Sequence, residues 1–219
     1  MKLYLDTADT AQWDQLMPTG LFHGITTNPL LAARAGLPYA KIDWAALADR
    51  ARNLGARELH AQVFGPVESH VDWAGRLYEV GQACGIETIV KIPLVEPALR
   101  ATPAIQALGG RILMTACYDA SQMFVAQGLG AQFIAPYFGR MLEAGLDAHA
   151  HLSAMKAMQG TGPNRCEILV ASLRNTGQMV DLATLGLDAF TIAPQIARDL
   201  LINKHSDAAA AEFEKAARS

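Results

Sequence analysis

Lys91 lies inside the apolar run Thr88-Ile89-Val90-Lys91-Ile92-Pro93. Lysine is depleted in strands and is almost never fully buried without a partner. An amine held among isoleucine and valine loses hydration, which penalises its charged form. A neutral lysine amine is a nucleophile suited to forming a Schiff base with a carbonyl. The alternative is a side chain that snorkels from a strand end to water. No other lysine occupies the interior of a strand-like run. Lys2 opens one, and Lys41, Lys156, Lys204 and Lys215 fall in helical or loop sequence.

Schiff-base chemistry also needs an acid/base group to move protons at the carbinolamine stage, and donors to orient substrate hydroxyls. Asp6 directly follows an apolar run, where it is either a site carboxylate or a helix N-cap; Asp9 suits the cap better. Tyr137 follows Ala135-Pro136 and could donate a proton directly or through water, or it could pack its ring in the core with one partner for its hydroxyl. Arg140, Ser172 and Arg174 follow two late apolar runs. Two arginine forks and a hydroxyl suit a phosphate, whereas either arginine alone is as well explained by a surface ion pair. Thr26-Thr27-Asn28-Pro29 reads as a helix start with proline at N1, which leaves Thr26 and Asn28 free to touch a ligand as well.

These residues need a scaffold that gathers strand ends. Eight apolar runs alternate with helical stretches: Lys2–Asp6, His23–Thr26, Glu58–Phe64, Thr88–Ile92, Arg111–Ala116, Ala131–Pro136, Glu167–Ser172 and Asp188–Ile192. Runs apolar on both faces suit strands covered by helices. A doubly wound sheet is one solution, and a closed (β/α)8 TIM barrel has the matching strand count. A barrel predicts chemistry at the C-terminal strand ends. Asp6, Thr26, Gln62, Lys91, Thr115, Tyr137 and Ser172 fall there. The opposite ends read as glycine, alanine and scattered charge. Helical spacing over Val67–Cys84 groups Val71, Ala74, Leu77, Tyr78 and Gly81, and over Thr176–Leu185 it groups Met179, Val180 and Ala183. No linker or composition shift interrupts residues 1–219, so one α/β domain is expected. An additional C-terminal helix is expected within 203–219, its pattern running over Asp207–Arg218, either capping the barrel or reaching a neighbouring subunit.

Composition narrows the class. Of 219 residues, 51% are hydrophobic and 18% charged, which excludes a disordered chain. A net charge of −3 gives no reason to expect nucleic acid or an anionic membrane as partner. Cys84, Cys117 and Cys166 show no paired or metal-ligand spacing and read as reduced thiols of a cytoplasmic protein. The opening MKLYLDTADT is not a signal peptide, and no run reaches membrane-span length. His149 and His151 are two apart and share no helical face, so no metal is expected. Gly128-Leu129-Gly130 precedes a strand-like run and is not a dinucleotide loop, and no cofactor is expected.

Six stretches in order carry a resemblance: Leu5-Asp6-Thr7-Ala8, Gly24-Ile25-Thr26-Thr27-Asn28-Pro29, Val90-Lys91-Ile92-Pro93, Thr115-Ala116-Cys117-Tyr118, Ala135-Pro136-Tyr137 with Arg140, and Ala171-Ser172-Leu173-Arg174. The chain resembles the transaldolase family of class I aldolases over nearly its whole length, and within it the small fructose-6-phosphate aldolase subgroup. The resemblance implies that Lys91 is the Schiff-base lysine and that Asp6 and Asn28 handle the dihydroxyacetone hydroxyls. Thr115 and Gln62 would hold the catalytic water, and Arg140, Ser172 and Arg174 the phosphate of the aldehyde part. It further implies sugar phosphates as substrates and a ring-based homo-oligomer, pentamer or decamer. Typical transaldolases have glutamate, asparagine and phenylalanine where this chain has Gln62, Leu113 and Tyr137, so the aldolase pattern is the one matched. A true transaldolase moving dihydroxyacetone between sugar phosphates is the alternative. A phosphosugar isomerase using Lys91 only as a cation, or a non-catalytic sugar-phosphate binder, are rivals outside the family.

Overall fold

Strands that are apolar on both faces need cover on both sides, and this chain supplies it by closing the sheet on itself. The computed structural model describes residues 1–162 and 165–218; positions 163, 164 and 219 of the expected 1–219 unit lie outside the described residues. The strands are β1 (Lys2–Asp6), β2 (Gly24–Thr26), β3 (Glu58–Gln62), β4 (Glu87–Pro93), β5 (Arg111–Cys117), β6 (Phe133–Pro136), β7 (Glu167–Val170) and β8 (Ala189–Ile192). They pair in parallel in chain order, and β8 returns to β1. Helices separate the strands, and a further helix, Lys204–Ala217, follows the barrel. The fold is the expected (β/α)8 barrel with an added C-terminal helix.

Closure at β2 depends on one glycine. A Cβ on Gly24 would stand 2.5 Å from the Glu58 carbonyl oxygen, so only glycine lets β2 and β3 approach to pairing distance. Outside the barrel, apolar residues such as Leu5, Ile25, Val90, Ile112 and Ile134 pack against the helix ring. Inside, Tyr4, Ile89, Leu113, Phe133, Leu169 and Ala189 fill the lumen. The register places Asp6 beside Thr26, Gln62 beside Lys91, Lys91 beside Leu113, and Pro93 beside Thr115. This layer is the upper end of the lumen.

The lower end corrects an expectation. It is not glycine, alanine and scattered charge but a connected polar floor. Glu58 accepts hydrogen bonds from the Tyr4 hydroxyl (2.8 Å), His60 Nε2 (2.9 Å) and Arg111 Nη1 (3.1 Å). Lys2 Nζ donates to Glu167 at 2.8 Å beside it. Burial pushes the Glu58 carboxyl up, but the bonds from His60 and Tyr4 and the Arg111 charge overcome it and hold it below the usual carboxylate range. Burial holds His60 below its ordinary value, so the neutral ring donates through Nε2. Breaking one member of such a buried set costs about 3–5 kcal/mol, because its partners are left uncompensated.

Several boundaries shift. The Glu58–Phe64 run ends as strand at Gln62, and Glu167–Ser172 ends at Val170, after which Ala171 makes only an isolated bridge to Tyr137. Ser172 cannot extend the strand because its φ is +63°. Val67–Ser69 forms a 3-10 turn before the helix His70–Cys84, which buries Trp73, Ala74, Leu77 and Gly81. The helix Thr176–Thr184 buries Met179 and Leu182, and Val180, expected on that face, is 63% exposed. The expected helix start at Asp207 moves to Lys204, because Asn203 caps it by accepting from the backbone amides of His205 and Ser206. That helix buries none of its described residues.

Candidate active site

The C-terminal ends of the strands surround a cavity of about 580 Å³, lined by Asp6, Asn28, Lys91, Thr115, Tyr137 and Arg140 among others. Ser172 and Arg174 line it too. Eight of the ten residues expected at the site therefore meet in one space. Lys91 is only 5% exposed, held between Val90 and Ile92 on β4. Burial lowers its pKa from the usual lysine value, and the Asp6 charge pulls in the opposite direction. The snorkelling alternative does not hold for a side chain this enclosed.

Asp6 does not cap a helix. Asp9 does, accepting from the Ala11 amide, and Asp6 is left to face the cavity. The Thr26 hydroxyl donates to Asp6 Oδ1 at 2.6 Å. Thr191 on β8 therefore donates to Thr26 Oγ1, 2.5 Å away. Thr26 was expected to touch ligand. It is instead fully buried behind Asp6, and its contribution is to aim that carboxylate. Asn28 is the N-cap foreseen for it, Oδ1 accepting from the Leu31 amide at the start of the helix Pro29–Arg34, and the residue also lines the cavity.

Tyr137 is aimed by a break in the barrel ladder. The β5–β6 register shifts between Met114 and Cys117, where Ala116 adopts φ +57°. Such bulges re-aim side chains, and a left-handed non-glycine residue costs roughly 1–2 kcal/mol. The result brings Thr115 Oγ1 within 2.9 Å of the Tyr137 hydroxyl. Burial raises the Tyr137 pKa, which keeps the phenol protonated. The Arg140 guanidinium stacks over the Tyr137 ring at 5.0 Å, held charged by the Tyr118 hydroxyl oxygen beside it.

The ends of β6 and β7 are stitched together. Phe138 and Gly139 amides donate to the Ala171 and Ser172 carbonyls at 3.0 and 3.1 Å. A Cβ on Gly139 would lie 2.2 Å from the Ser172 oxygen, so this crossing requires glycine. It brings Arg140 and Arg174 to one rim. Arg174 is already engaged there: Nε donates to Glu143 Oε1 at 2.7 Å, Nη2 to Glu143 Oε2 at 3.2 Å, and Nη1 to the Ser172 carbonyl at 2.8 Å.

Gln62, like Thr26, is an expected residue that the cavity lining does not include. It is the ladder neighbour of Lys91, its backbone is pinned by the Tyr39 hydroxyl, and it lines an adjoining cleft of about 340 Å³ with His70 and Pro93. Sequence reasoning missed Thr191, Gly139 and Glu143. Thr191 carried a visible signal, a polar residue at the eighth strand end. Glu143 carried none, since it sits in the helix Phe138–Glu143 like any solvated acid.

A larger opening of about 1020 Å³ lies at the opposite face. Among the described residues its lysine and arginine side chains are paired: Lys2 with Glu167, Arg111 with Glu58 and Glu87, and Arg165 with Asp188.

Comparison with known proteins points to one family. Residues 3–219 match the family model described as Transaldolase/Fructose-6-phosphate aldolase. A probable transaldolase from Hyphomonas neptunium is 31% identical over 212 residues, covering 94% of this chain and 92% of that protein. One from Phenylobacterium zucineum is 32% identical over 201 residues, covering 90% and 87%. Among solved structures, a mandelate oxidase with 2-hydroxy-phenylacetamide aligns at a TM-score of 0.62 with 14% identity, covering 89% of this chain and 65% of that one, a likeness of fold alone.

Proposed function

Because the chain belongs to the transaldolase/fructose-6-phosphate aldolase family, we propose that it is a class I aldolase. It cleaves or forms the C3–C4 bond of fructose 6-phosphate-type ketoses, with dihydroxyacetone as the donor unit. The observation that carries the reading is the enclosure of Lys91 beside Asp6 in a cavity that also holds Tyr137 and Arg140.

The amine of Lys91, favoured in its neutral form by burial, attacks the ketone. The carbinolamine loses water to give a protonated imine, which withdraws the electrons of the breaking C3–C4 bond. The C4 hydroxyl gives up its proton as the aldehyde leaves, and an enamine remains on Lys91. Protonation at C3 and hydrolysis then release dihydroxyacetone. Asp6, aimed by Thr26, accepts from donor hydroxyls, and Asn28 has its amide nitrogen left for the same task. Tyr137, bonded to Thr115, moves protons through a water that Gln62 helps to hold. Arg140, Ser172 and Arg174 take the phosphate of the aldehyde part.

True transaldolase activity is the second reading, and the naming of the relatives as probable transaldolases favours it. The ladder neighbours of Lys91 favour the first. Gln62 and Leu113 flank it, so no carboxylate adjoins the lysine in its own row, and proton transfer falls to Tyr137. We further place the enzyme in the cytoplasm, consistent with three unpaired thiols, as a homo-oligomer assembled through its C-terminal helix.

The test joins two measurements. Borohydride with dihydroxyacetone should leave a reduced three-carbon adduct on Lys91 by mass spectrometry, and an adduct elsewhere or none removes the mechanism. Fructose 6-phosphate should be cleaved without added erythrose 4-phosphate; a strict need for that acceptor reverses the choice between the two activities.

A further inference from the structure

The rim expected to take a phosphate already holds an anion. Glu143 presents both carboxylate oxygens to Nε and Nη2 of Arg174, the same paired edge that a phosphate would use. The remaining guanidinium nitrogen, Nη1, donates to the Ser172 carbonyl (2.8 Å), the Ser172 hydroxyl (3.2 Å) and the Leu173 carbonyl (3.4 Å). All three guanidinium nitrogens of Arg174 are therefore engaged by its own chain, and Ser172 Oγ is drawn into the same set. Arg140, by contrast, has no carboxylate within salt-bridge distance among the described residues and stands over Tyr137. Glu143 itself lines the cavity and is exposed, so its hold on Arg174 is screened by water and readily exchanged.

We propose that Glu143 sets acceptor specificity by occupying the anion position of Arg174. A phosphorylated aldehyde binds there only after displacing the carboxylate, and an uncharged polyol aldehyde binds without displacing it. The inference rests on the proposed aldolase reading and adds to it a residue that works against the phosphate. Two anions on one rim repel, and when Glu143 swings away it remains close enough for its charge to weaken the incoming phosphate. The carboxylate thus narrows the preference for phosphorylated over unphosphorylated acceptors that two arginines alone would create.

Glu143→Gln, which keeps shape and removes charge, tests this. Against dihydroxyacetone as donor, kcat/KM for glyceraldehyde 3-phosphate relative to glyceraldehyde should rise about tenfold in the variant, carried by a lower KM for the phosphorylated acceptor. An unchanged or lowered ratio overturns the proposal. Calorimetry with inorganic phosphate reads the same site without turnover: the variant should bind it about tenfold more tightly than the parent, and equal affinities overturn the proposal even in a protein that shows no aldol activity. Adding Arg174→Gln to Glu143→Gln should erase the gain; a gain that persists removes Arg174 from the argument. Borohydride trapping on Lys91 in both proteins separates the two readings, since loss of the adduct condemns the aldolase mechanism while leaving the phosphate titration to judge Glu143.

Discussion

The Tyr137 hydroxyl and Thr115 Oγ1 stand 2.9 Å apart across a bulge in the β5–β6 ladder. Neither strand alone would bring them together. Regular pairing past Met114 would aim the end of β5 elsewhere, and the left-handed turn at Ala116 corrects it. The pair lies in the same cavity as Lys91, with the phenol kept protonated by burial. A protonated phenol held by a hydroxyl can give a proton to a leaving water and recover it through the same contact.

The pair should therefore separate chemistry from binding. Tyr137→Phe keeps the ring and its stack under Arg140, and is expected to lower kcat by about 10²–10³-fold with KM little changed. Thr115→Val should cost about tenfold, since it removes only the support. Steady-state kinetics on fructose 6-phosphate checks both. A Tyr137→Phe enzyme within twofold of the parent kcat would take the acid/base task away from this residue.

Asp6 acts on Lys91 against burial. Desolvation lowers the lysine pKa and the carboxylate charge raises it, so the working value is a compromise. Asp6→Asn removes the upward pull, and an opposite charge at such range is worth about 1–3 pKa units. The neutral amine is the reactive form. Its acid limb in a pH series of adduct formation should then move to lower pH by about one unit. The rate at the plateau should fall too, because one of the two acceptor oxygens becomes a donor while Thr26 still needs the other. Cyanoborohydride trapping between pH 5 and 9 would show it, and a limb that stays put or moves upward would separate Asp6 from the lysine.

How much of this was legible depended on whether the signal lay along the chain or across it. Strand ends were legible because an apolar run stopped by a polar residue is a local pattern, and Asp6, Lys91, Thr115 and Tyr137 were found that way. The polar floor was missed although β3 spells it out: Glu58, His60 and Gln62 alternate with Leu59 and Ala61. Only closure shows that the polar set faces the lumen, where Tyr4 and Arg111 arrive from 54 and 53 residues away. Thr26 illustrates the converse. Its position at a strand end was read correctly, but its rank behind Asp6 depends on Thr191, 165 residues distant. The engagement of Arg174 by Glu143 crosses 31 residues, from a helix end to a loop, and leaves no trace in spacing.

The helix Lys204–Ala217 poses the remaining physical problem. None of its described residues is buried, and Phe213 is 71% exposed, as is much of the preceding Leu200-Leu201-Ile202. A helix that buries so little is marginal in water at this length. An exposed apolar stretch ahead of it points to cover from another copy of the chain. Burying one phenylalanine is worth about 1.5–3 kcal/mol per interface. Phe213→Glu replaces that gain with the cost of an unpaired charge. Light scattering coupled to size exclusion should then show the mass falling from a ring-sized multiple of 23.5 kDa toward the single chain, with Lys91 still trapped by borohydride because the helix lies outside the cavity lining. A parent protein that already runs as a monomer, or a variant of unchanged mass, would leave this helix without the role assigned to it.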